Sequence, residues 1–187
     1  SFTMLQVASA LSTVVNNGVK NKPHLVIATE DSTTKQRTPV PRPEPVNLGY
    51  KPQHLEVIRK AMVAVTQQGT STRVFQGAGY LSGGKTGTAQ AVGVAQGAKY
   101  NAAKLEEHQR DHSLYIAFAP AENPKIAVAM IVENAGFGAA AAAPIARRVF
   151  DYYLMNQYPS EEDLALVRQG KAGPPVGTPR VASEVAW

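Results

Sequence analysis

Lys85-Thr86-Gly87-Thr88 brings an ammonium, two hydroxyls and a backbone position without a side chain into four consecutive residues. On a strand, Lys85 supplies a fixed positive charge and Thr86 and Thr88 supply hydroxyls, a set suited to a substrate carboxylate. Gly87 removes the side chain where another element must approach. A unit charge pair at about 4 Å is worth roughly 4 kcal/mol at an effective dielectric near 20. The bland alternative is an exposed strand with a solvated lysine. The same lysine also closes Gly79-Tyr80-Leu81-Ser82-Gly83-Gly84-Lys85-Thr86, which fits the phosphate-binding P-loop letter for letter, and Glu133 ends an apolar run where a metal-binding acid would stand. A P-loop lysine must open a helix whose amides hold the phosphates. Here Gly87 follows at once, Thr88 and Val92 favour strand, and Gly93 and Gly97 interrupt any helix. The strand reading is preferred, and a nucleotide hydrolase is carried as the weaker alternative.

A nucleophile to accompany this set is hard to find. Ser32-Thr33-Thr34-Lys35 and Ser82-Gly83-Gly84-Lys85 fit S-x-x-K formally, but the first lies in a polar loop and the second in a glycine turn. Neither can open a buried helix with serine and lysine one turn apart on one face. No S-x-N occurs, and with no cysteine, thiol catalysis, Cys-ligated zinc and iron–sulfur clusters are excluded. His108 and His112, spaced i and i+4 beside Glu107 and Asp111, have a spacing that could hold a metal on a helix. They fall where helix gives way to strand, so a hydrogen-bonded pair organising the turn is preferred, and neither metal nor cofactor is expected. Gly136-Phe137-Gly138 could cradle an anion before a helix, but a tight strand-to-helix turn needs the same glycines.

The elements that must position Lys85 follow from spacing. Thr3-Met4-Leu5-Gln6 reads as a capping box, with Phe2 placed to staple onto Val7, and Met4, Ala8, Leu11 and Val15 form the apolar face of a helix of about 14 residues ending before Gly18. Residues 24–29, with Leu25, Val26 and Ile27, suggest a short strand, and Pro39, Pro41, Pro43 and Pro45 an extended loop. A second helix begins near Pro52, presents Leu55, Ile58, Met62 and Val65, and stops before Gly69. After a strand around 80–90, Asn101 caps a short helix through Asp111. Strands 113–119 and 126–133 form an antiparallel hairpin around the turn at 120–125. A last helix, about 144–156, presents Ile145, Val149, Tyr152 and Tyr153 to the core. From Gly170 onward, glycine, proline and small polar residues suggest a mobile tail.

With 187 residues and 44% hydrophobic content, the chain can be one globular domain or part of a larger one. Its net charge of +5 is spread along the sequence, and no nucleic-acid partner is expected. The apolar run at 126–132 falls far short of the roughly 20 residues a membrane helix needs. The chain opens at Ser1 without an initiator Met, so the expectation is a fragment whose start lies upstream.

Lys85-Thr86-Gly87, within Lys85-Thr86-Gly87-Thr88-Ala89-Gln90, matches the K-T-G element of penicillin-recognising serine enzymes. Together with Tyr100-Asn101-Ala102, Lys104, Glu107, Arg110-Asp111-His112, Ala117-Phe118-Ala119-Pro120 and Val128-Ala129-Met130-Ile131-Val132-Glu133-Asn134, it resembles the elongation-type (class B) penicillin-binding protein 2 family of Gram-negative bacteria. The resemblance runs from about Thr3 to Met155. It implies an α+β fold, part of the β-lactamase/transpeptidase-like fold with an antiparallel sheet flanked by helices. It implies a peptidoglycan D,D-transpeptidase acting by serine acyl transfer on stem peptides ending in D-Ala-D-Ala, inhibited by β-lactam antibiotics. Elongation-machinery membrane proteins are the implied partners, and the periplasmic face of the inner membrane, with the anchor outside this chain, is the implied location. Lys85 and Thr86 resemble the carboxylate-recognition pair, Gly87 the clearance position, and the amide of Thr88 an oxyanion donor. The nucleophilic serine and the S-x-N element are missing. Residues 1–158 are therefore read as the C-terminal portion of a transpeptidase domain, catalytically incomplete alone, and 159–187 as a mobile extension. A nonenzymatic binding module on the same scaffold is the second alternative.

Overall fold

The computed structural model describes residues 2–93, 101 and 105–185. The chain enters through α1 (Met4–Val15). It then forms two small antiparallel ribbons, β1 (Val19–Lys20) pairing with β4 (Val46–Asn47) and β2 (Ala28–Glu30) with β3 (Arg37–Pro39). Helices α2 (Pro52–Gln67) and α3 (Thr72–Phe75) lead into β5 (Gly83–Ala89), followed by β6 (His112–Ala119), β7 (Ile126–Val132), α4 (Ala142–Met155) and α5 (Glu161–Arg168). The main sheet has the order β5-β6-β7 and is antiparallel throughout.

The predicted capping box of α1 forms: Gln6 N donates to Thr3 Oγ1 at 3.2 Å and Thr3 N to Gln6 Oε1 at 2.8 Å. Leu11 and Val15 are buried as expected, but Phe2 is exposed and makes no staple. Asn17 and Gly18 take positive φ, which ends the helix after 12 residues. The strand expected at 24–29 lies later. Leu25, Val26 and Ile27 are exposed, because the hairpin is set by the Ala28↔Pro39 register and by Asp31 Oδ1, which accepts from Thr33 N and Thr34 N. The helix expected over 101–111 falls partly outside the described residues, and the part described holds a 3-10 turn at Glu107–Gln109.

The sheet has two covered faces. Tyr115, Ala117 and Ala119 of β6 pack with Val74, Phe75, Ala143, Ala146 and Phe150, so α3 and α4 cover this side. Phe118, with Ile116 beside it, packs on the other side with Leu11, Val15 and Met62 of α1 and α2. On α2 the buried stripe is Leu55, Met62 and Thr66, whereas Ile58, expected inside, is exposed. Thr66 faces inward because its hydroxyl reaches the carbonyl of Ser82 at 2.6 Å, at the entrance to β5.

The largest departure from expectation is the buried face of α4. Ile145, Tyr152 and Tyr153 are exposed, and Ala143, Ala146, Arg147, Phe150 and Asp151 face the core. A pattern of apolar spacings places charges outside. Here the two charges neutralise each other, with Arg147 Nε 2.8 Å and 2.9 Å from the Asp151 carboxylate oxygens. Arg147 also donates to the carbonyls of Val74 (3.1 Å) and Gln76 (3.3 Å), and the Tyr80 hydroxyl donates to Asp151 at 2.8 Å. The pair thus ties α4 to the segment that runs from α3 into β5.

Residues 159–185, set apart above as a tail, are tied to α4 through Arg148. Asp163 of α5 is buried against Arg148, whose Nε lies 2.8 Å from Oδ2. The Ser160 hydroxyl caps α5 and donates to Val176 O at 2.7 Å, and Tyr158 exchanges two backbone hydrogen bonds with Arg180.

Two measurements check this packing. Asp151→Ala strands a buried arginine and is expected to reduce stability by about 3 to 5 kcal/mol, whereas Glu56→Ala, which breaks the exposed Lys60 pair, should change it by less than about 1 kcal/mol; urea unfolding compares them. Burial pushes the Tyr115 hydroxyl up to about 12, against a weaker opposing effect of its bond to Ser71, and burial together with the Asp151 carboxylate raises Tyr80 further. A raised phenol pKa favours the native state only while the unfolded phenol keeps its proton. Their contribution to stability should therefore be constant below roughly pH 10 and fall as the pH rises above it, with these tyrosines ionising in ultraviolet titration together with unfolding.

Candidate active site

Strand β5 carries Lys85, Thr86, Gly87 and Thr88, and its first two residues fix it in place. An added Cβ at Gly83 would meet the Phe118 ring at 2.5 Å and the Met62 backbone at 3.3 Å, and one at Gly84 would collide with the Tyr115 hydroxyl. The strand is therefore gripped on both faces. Tyr115 reaches across Gly84 to Ser71, whose hydroxyl lies 2.9 Å from its own. Beyond the glycines the register is Lys85↔Ile116, Thr86↔Tyr115, Gly87↔Leu114 and Thr88↔Ser113.

This register decides which backbone groups face outward. An added Cβ on Gly138 would collide with Leu114 O and lie 2.7 Å from Gly87 O and 3.0 Å from Gly87 N, so all three atoms converge between β5 and β6. Gly87 and Leu114 are thus a hydrogen-bonded pair, and antiparallel alternation turns the amides and carbonyls of Thr86 and Thr88 toward the open edge. Lys85 agrees with this: its exposed Nζ donates to the Thr86 carbonyl at 2.7 Å. The Thr86 hydroxyl is 3.0 Å from that of Thr70 in the α2–α3 turn, and Thr88 is exposed. Helix α4 packs behind the face opposite Lys85. The Lys85 ammonium, held at the Thr86 carbonyl, and the outward amides of Thr86 and Thr88 therefore lie along one open strand edge, with the Thr86 and Thr88 side chains on the sheet face opposite Lys85, an arrangement that can grip a carboxylate and polarise a neighbouring carbonyl.

The chain after Lys85 continues as a strand, so no helix N-terminus is available for phosphates and the P-loop reading is overturned. Ser32 sits in the β2–β3 hairpin turn, and Ser82 is buried at a strand entrance, so neither stands one helical turn from a lysine. His108 is an exposed residue of the 3-10 turn, with Nδ1 3.5 Å from Glu106, and no group of three metal-ligating residues occurs among the described residues.

Arg110-Asp111-His112 organises a turn. His112 Nδ1 accepts from Asn134 N at 3.0 Å, Asn134 Nδ2 donates to Arg110 O at 2.9 Å, and Gly136 N donates to Asp111 O at 2.8 Å. In the Gly136-Phe137-Gly138 loop, Ser113 Oγ donates to Phe137 O at 3.0 Å and accepts from Ala142 N at 3.1 Å. The amides of Gly136 and Ala142 are therefore spent on the protein itself, which favours the tight-turn reading over an anion cradle. A cleft of about 490 Å³ opens at the entrance to β5 between α2 and Tyr80, but Lys85, Thr86 and Thr88 do not line it.

Sequence reasoning missed Thr70 and read Gly138 only as a turn glycine. Thr70 stands among other small polar residues with no pattern of its own. The close approach expected of Gly87 is made by Gly138, whereas a Cβ at Gly87 would touch Leu114 alone, at 3.3 Å and beyond.

The family profile described as the penicillin binding protein transpeptidase domain matches residues 1–151. The chain is 40% identical over 163 residues to the peptidoglycan D,D-transpeptidase MrdA of Haemophilus influenzae, covering 86% of this chain and 25% of that protein. The crystal structure of Pseudomonas aeruginosa PBP2 in complex with WCK 5153 is similar at a TM-score of 0.64 and 31% identity, covering 82% of this chain and 31% of that one. The complex between PBP2 and MreC of Helicobacter pylori is similar at a TM-score of 0.59 and 26% identity, covering 82% and 25%. The chain thus spans about a quarter of the length of the curated relatives it matches.

If the Gly138 crossing fixes the end of β5, Gly138→Ala should loosen residues 86–89 while leaving β6–β7 protected. Hydrogen exchange by mass spectrometry reads this directly, and equal protection of 86–89 in parent and variant would contradict it.

Proposed function

The chain belongs to the penicillin-binding protein transpeptidase family, and on that footing we propose that it forms the carboxylate-binding wall of a peptidoglycan D,D-transpeptidase of the penicillin-binding protein 2 type. The observation that carries the reading is the open edge of β5, where Lys85, Thr86 and Thr88 stand together on a strand gripped from both faces. In this reading the carboxylate of a stem peptide ending in D-Ala-D-Ala, or of a β-lactam, sits against Lys85 and the hydroxyls of Thr86 and Thr88. Gly87 leaves the neighbouring space clear.

The reaction follows as an acyl transfer. A serine hydroxyl attacks the penultimate carbonyl, the developing oxyanion is held by Thr88 N–H, and the bond to the terminal D-Ala breaks as that residue leaves with a proton on its amine. The amine of a neighbouring stem then takes the acyl group, giving a cross-link and restoring the serine. Removing one oxyanion donor typically costs about 3 to 4 kcal/mol. The serine and its base come from polypeptide outside this sequence, which has no S-x-N and no S-x-x-K on a helix.

Residues 1–158 are assigned to the transpeptidase domain and 159–187 to an extension of it. Among the described residues no helix is long and apolar enough to cross a membrane. The whole protein is placed at the periplasmic face of the inner membrane, held by an anchor elsewhere in its sequence. Membrane proteins of the elongation machinery are its proposed partners; the Helicobacter pylori PBP2 is in complex with a partner protein, MreC.

In the complete protein, Lys85→Ala should slow acylation by a fluorescent penicillin roughly a hundredfold or more, with the fold intact, since a charge pair of a few kcal/mol is lost from an exposed side chain. Lys85→Arg should recover only part, because a wide planar fork replaces a compact ammonium. Unchanged rates in both variants would return Lys85 to the role of a solvated strand lysine. The 187-residue chain alone, treated with benzylpenicillin, should show no added mass by intact-protein mass spectrometry. A stoichiometric ring-opened adduct on any of its serines would overturn the placement of the nucleophile.

A further inference from the structure

The Thr70–Thr86 contact joins the β5 edge to the α2–α3 turn, and it carries a consequence for how the edge holds a carboxylate. The two hydroxyl oxygens are 3.0 Å apart, with Thr70 exposed and Thr86 half-buried. Only one proton can occupy the line between them. If Thr86 donates to Thr70, its proton is spent. Thr86 can donate outward to an anion only when Thr70 supplies the proton between the two oxygens.

Thr70 is mounted to hold that role. An added Cβ on the preceding Gly69 would lie 2.7 Å from Val65 Cα, so the turn is pressed against α2. The following Ser71 is fully buried, 2.9 Å from the hydroxyl of Tyr115, the residue that pairs with Thr86 across the sheet. Arg147 then holds the carbonyls of Val74 and Gln76 on the same segment. A hydroxyl fixed by its neighbours in this way aims a second hydroxyl without loss of order when ligand arrives.

We propose that Thr70 is a positioning residue for carboxylate recognition: its hydroxyl donates to Thr86 and so aims the Thr86 O–H at the carboxylate of the incoming acyl donor. The inference rests on the carboxylate reading of β5.

The test uses the complete protein with Thr70→Val, Thr70→Ser, Thr86→Val and the double valine variant, acylated by benzylpenicillin and by its uncharged methyl ester. Thr70→Val should lower the second-order rate with benzylpenicillin about tenfold, mainly through weaker initial binding, while leaving the rate with the ester and the melting temperature unchanged. Thr70→Ser should restore the parent rate, and the double variant should be no slower than Thr86→Val. Equal loss with acid and ester would make Thr70 merely structural, and no loss with either would remove its role; each result overturns the proposal. Lys85→Ala run in parallel separates the two levels: if it slows acylation and Thr70→Val does not, this inference alone fails, and if neither slows it, the carboxylate reading fails as well.

Discussion

The structure turns on the lack of space at the entrance to β5. Phe118 and the backbone of Met62 fill one side of Gly83, and the Tyr115 hydroxyl fills the place of a side chain on Gly84. An edge strand is ordinarily the least restrained strand of a sheet, with one row of backbone groups unpaired. Here the strand is pressed between α2 and the Tyr115–Ser71 bond before it reaches Lys85, and the Gly138 crossing closes over its far half at Gly87. The open edge between these two grips is short, held at both ends and polar. Those properties suit a surface that must present charge, hydroxyl and amide in fixed relation to a reacting group.

The second layer of support comes from charges buried behind the sheet. A buried ion pair contributes little net stability compared with well-packed apolar residues, so stabilisation is a poor explanation for Arg147 and Asp151. Their geometry indicates what they do contribute: the guanidinium spans Val74 O, Gln76 O and Asp151, and Asp151 takes the Tyr80 hydroxyl. Three points along the segment between α2 and β5 are thereby set relative to α4. Arg148 makes a comparable link on the neighbouring surface, to Asp163 and Gly173 O, so residues beyond the family match at 151 brace the same helix.

Much of this arrangement was legible in the sequence where local chemistry decides it. The Thr3–Gln6 capping box, Pro52 in the first turn of α2, the 120–125 turn and the strand character of Lys85-Thr86-Gly87-Thr88 depend on neighbours within a few residues, and each formed as read. The buried face of α4 was not legible. Its identity depends on a carbonyl pair contributed by residues more than sixty positions earlier, by the contacts of Arg147 with Val74 and Gln76. Periodicity favours Ile145 and Tyr152 and has no means to place an arginine inside. Gly138 was visible only as a turn glycine, because its effect falls on the backbone of β5 and β6. Leu25, Val26 and Ile27 read as a strand from β-propensity alone, but the triplet lies ahead of the Ala28↔Pro39 register and stays exposed.

The central claim is that the β5 edge grips a carboxylate while the Thr88 amide faces a reacting carbonyl. A crystal structure of the complete protein acylated by a penicillin tests it most directly. The expected result is a ligand carboxylate within about 3 Å of the Thr86 or Thr88 hydroxyl, Lys85 Nζ within reach of it, and the acyl oxygen at hydrogen-bond distance from Thr88 N. A carboxylate directed away from β5, with the acyl oxygen held by donors elsewhere, would contradict it.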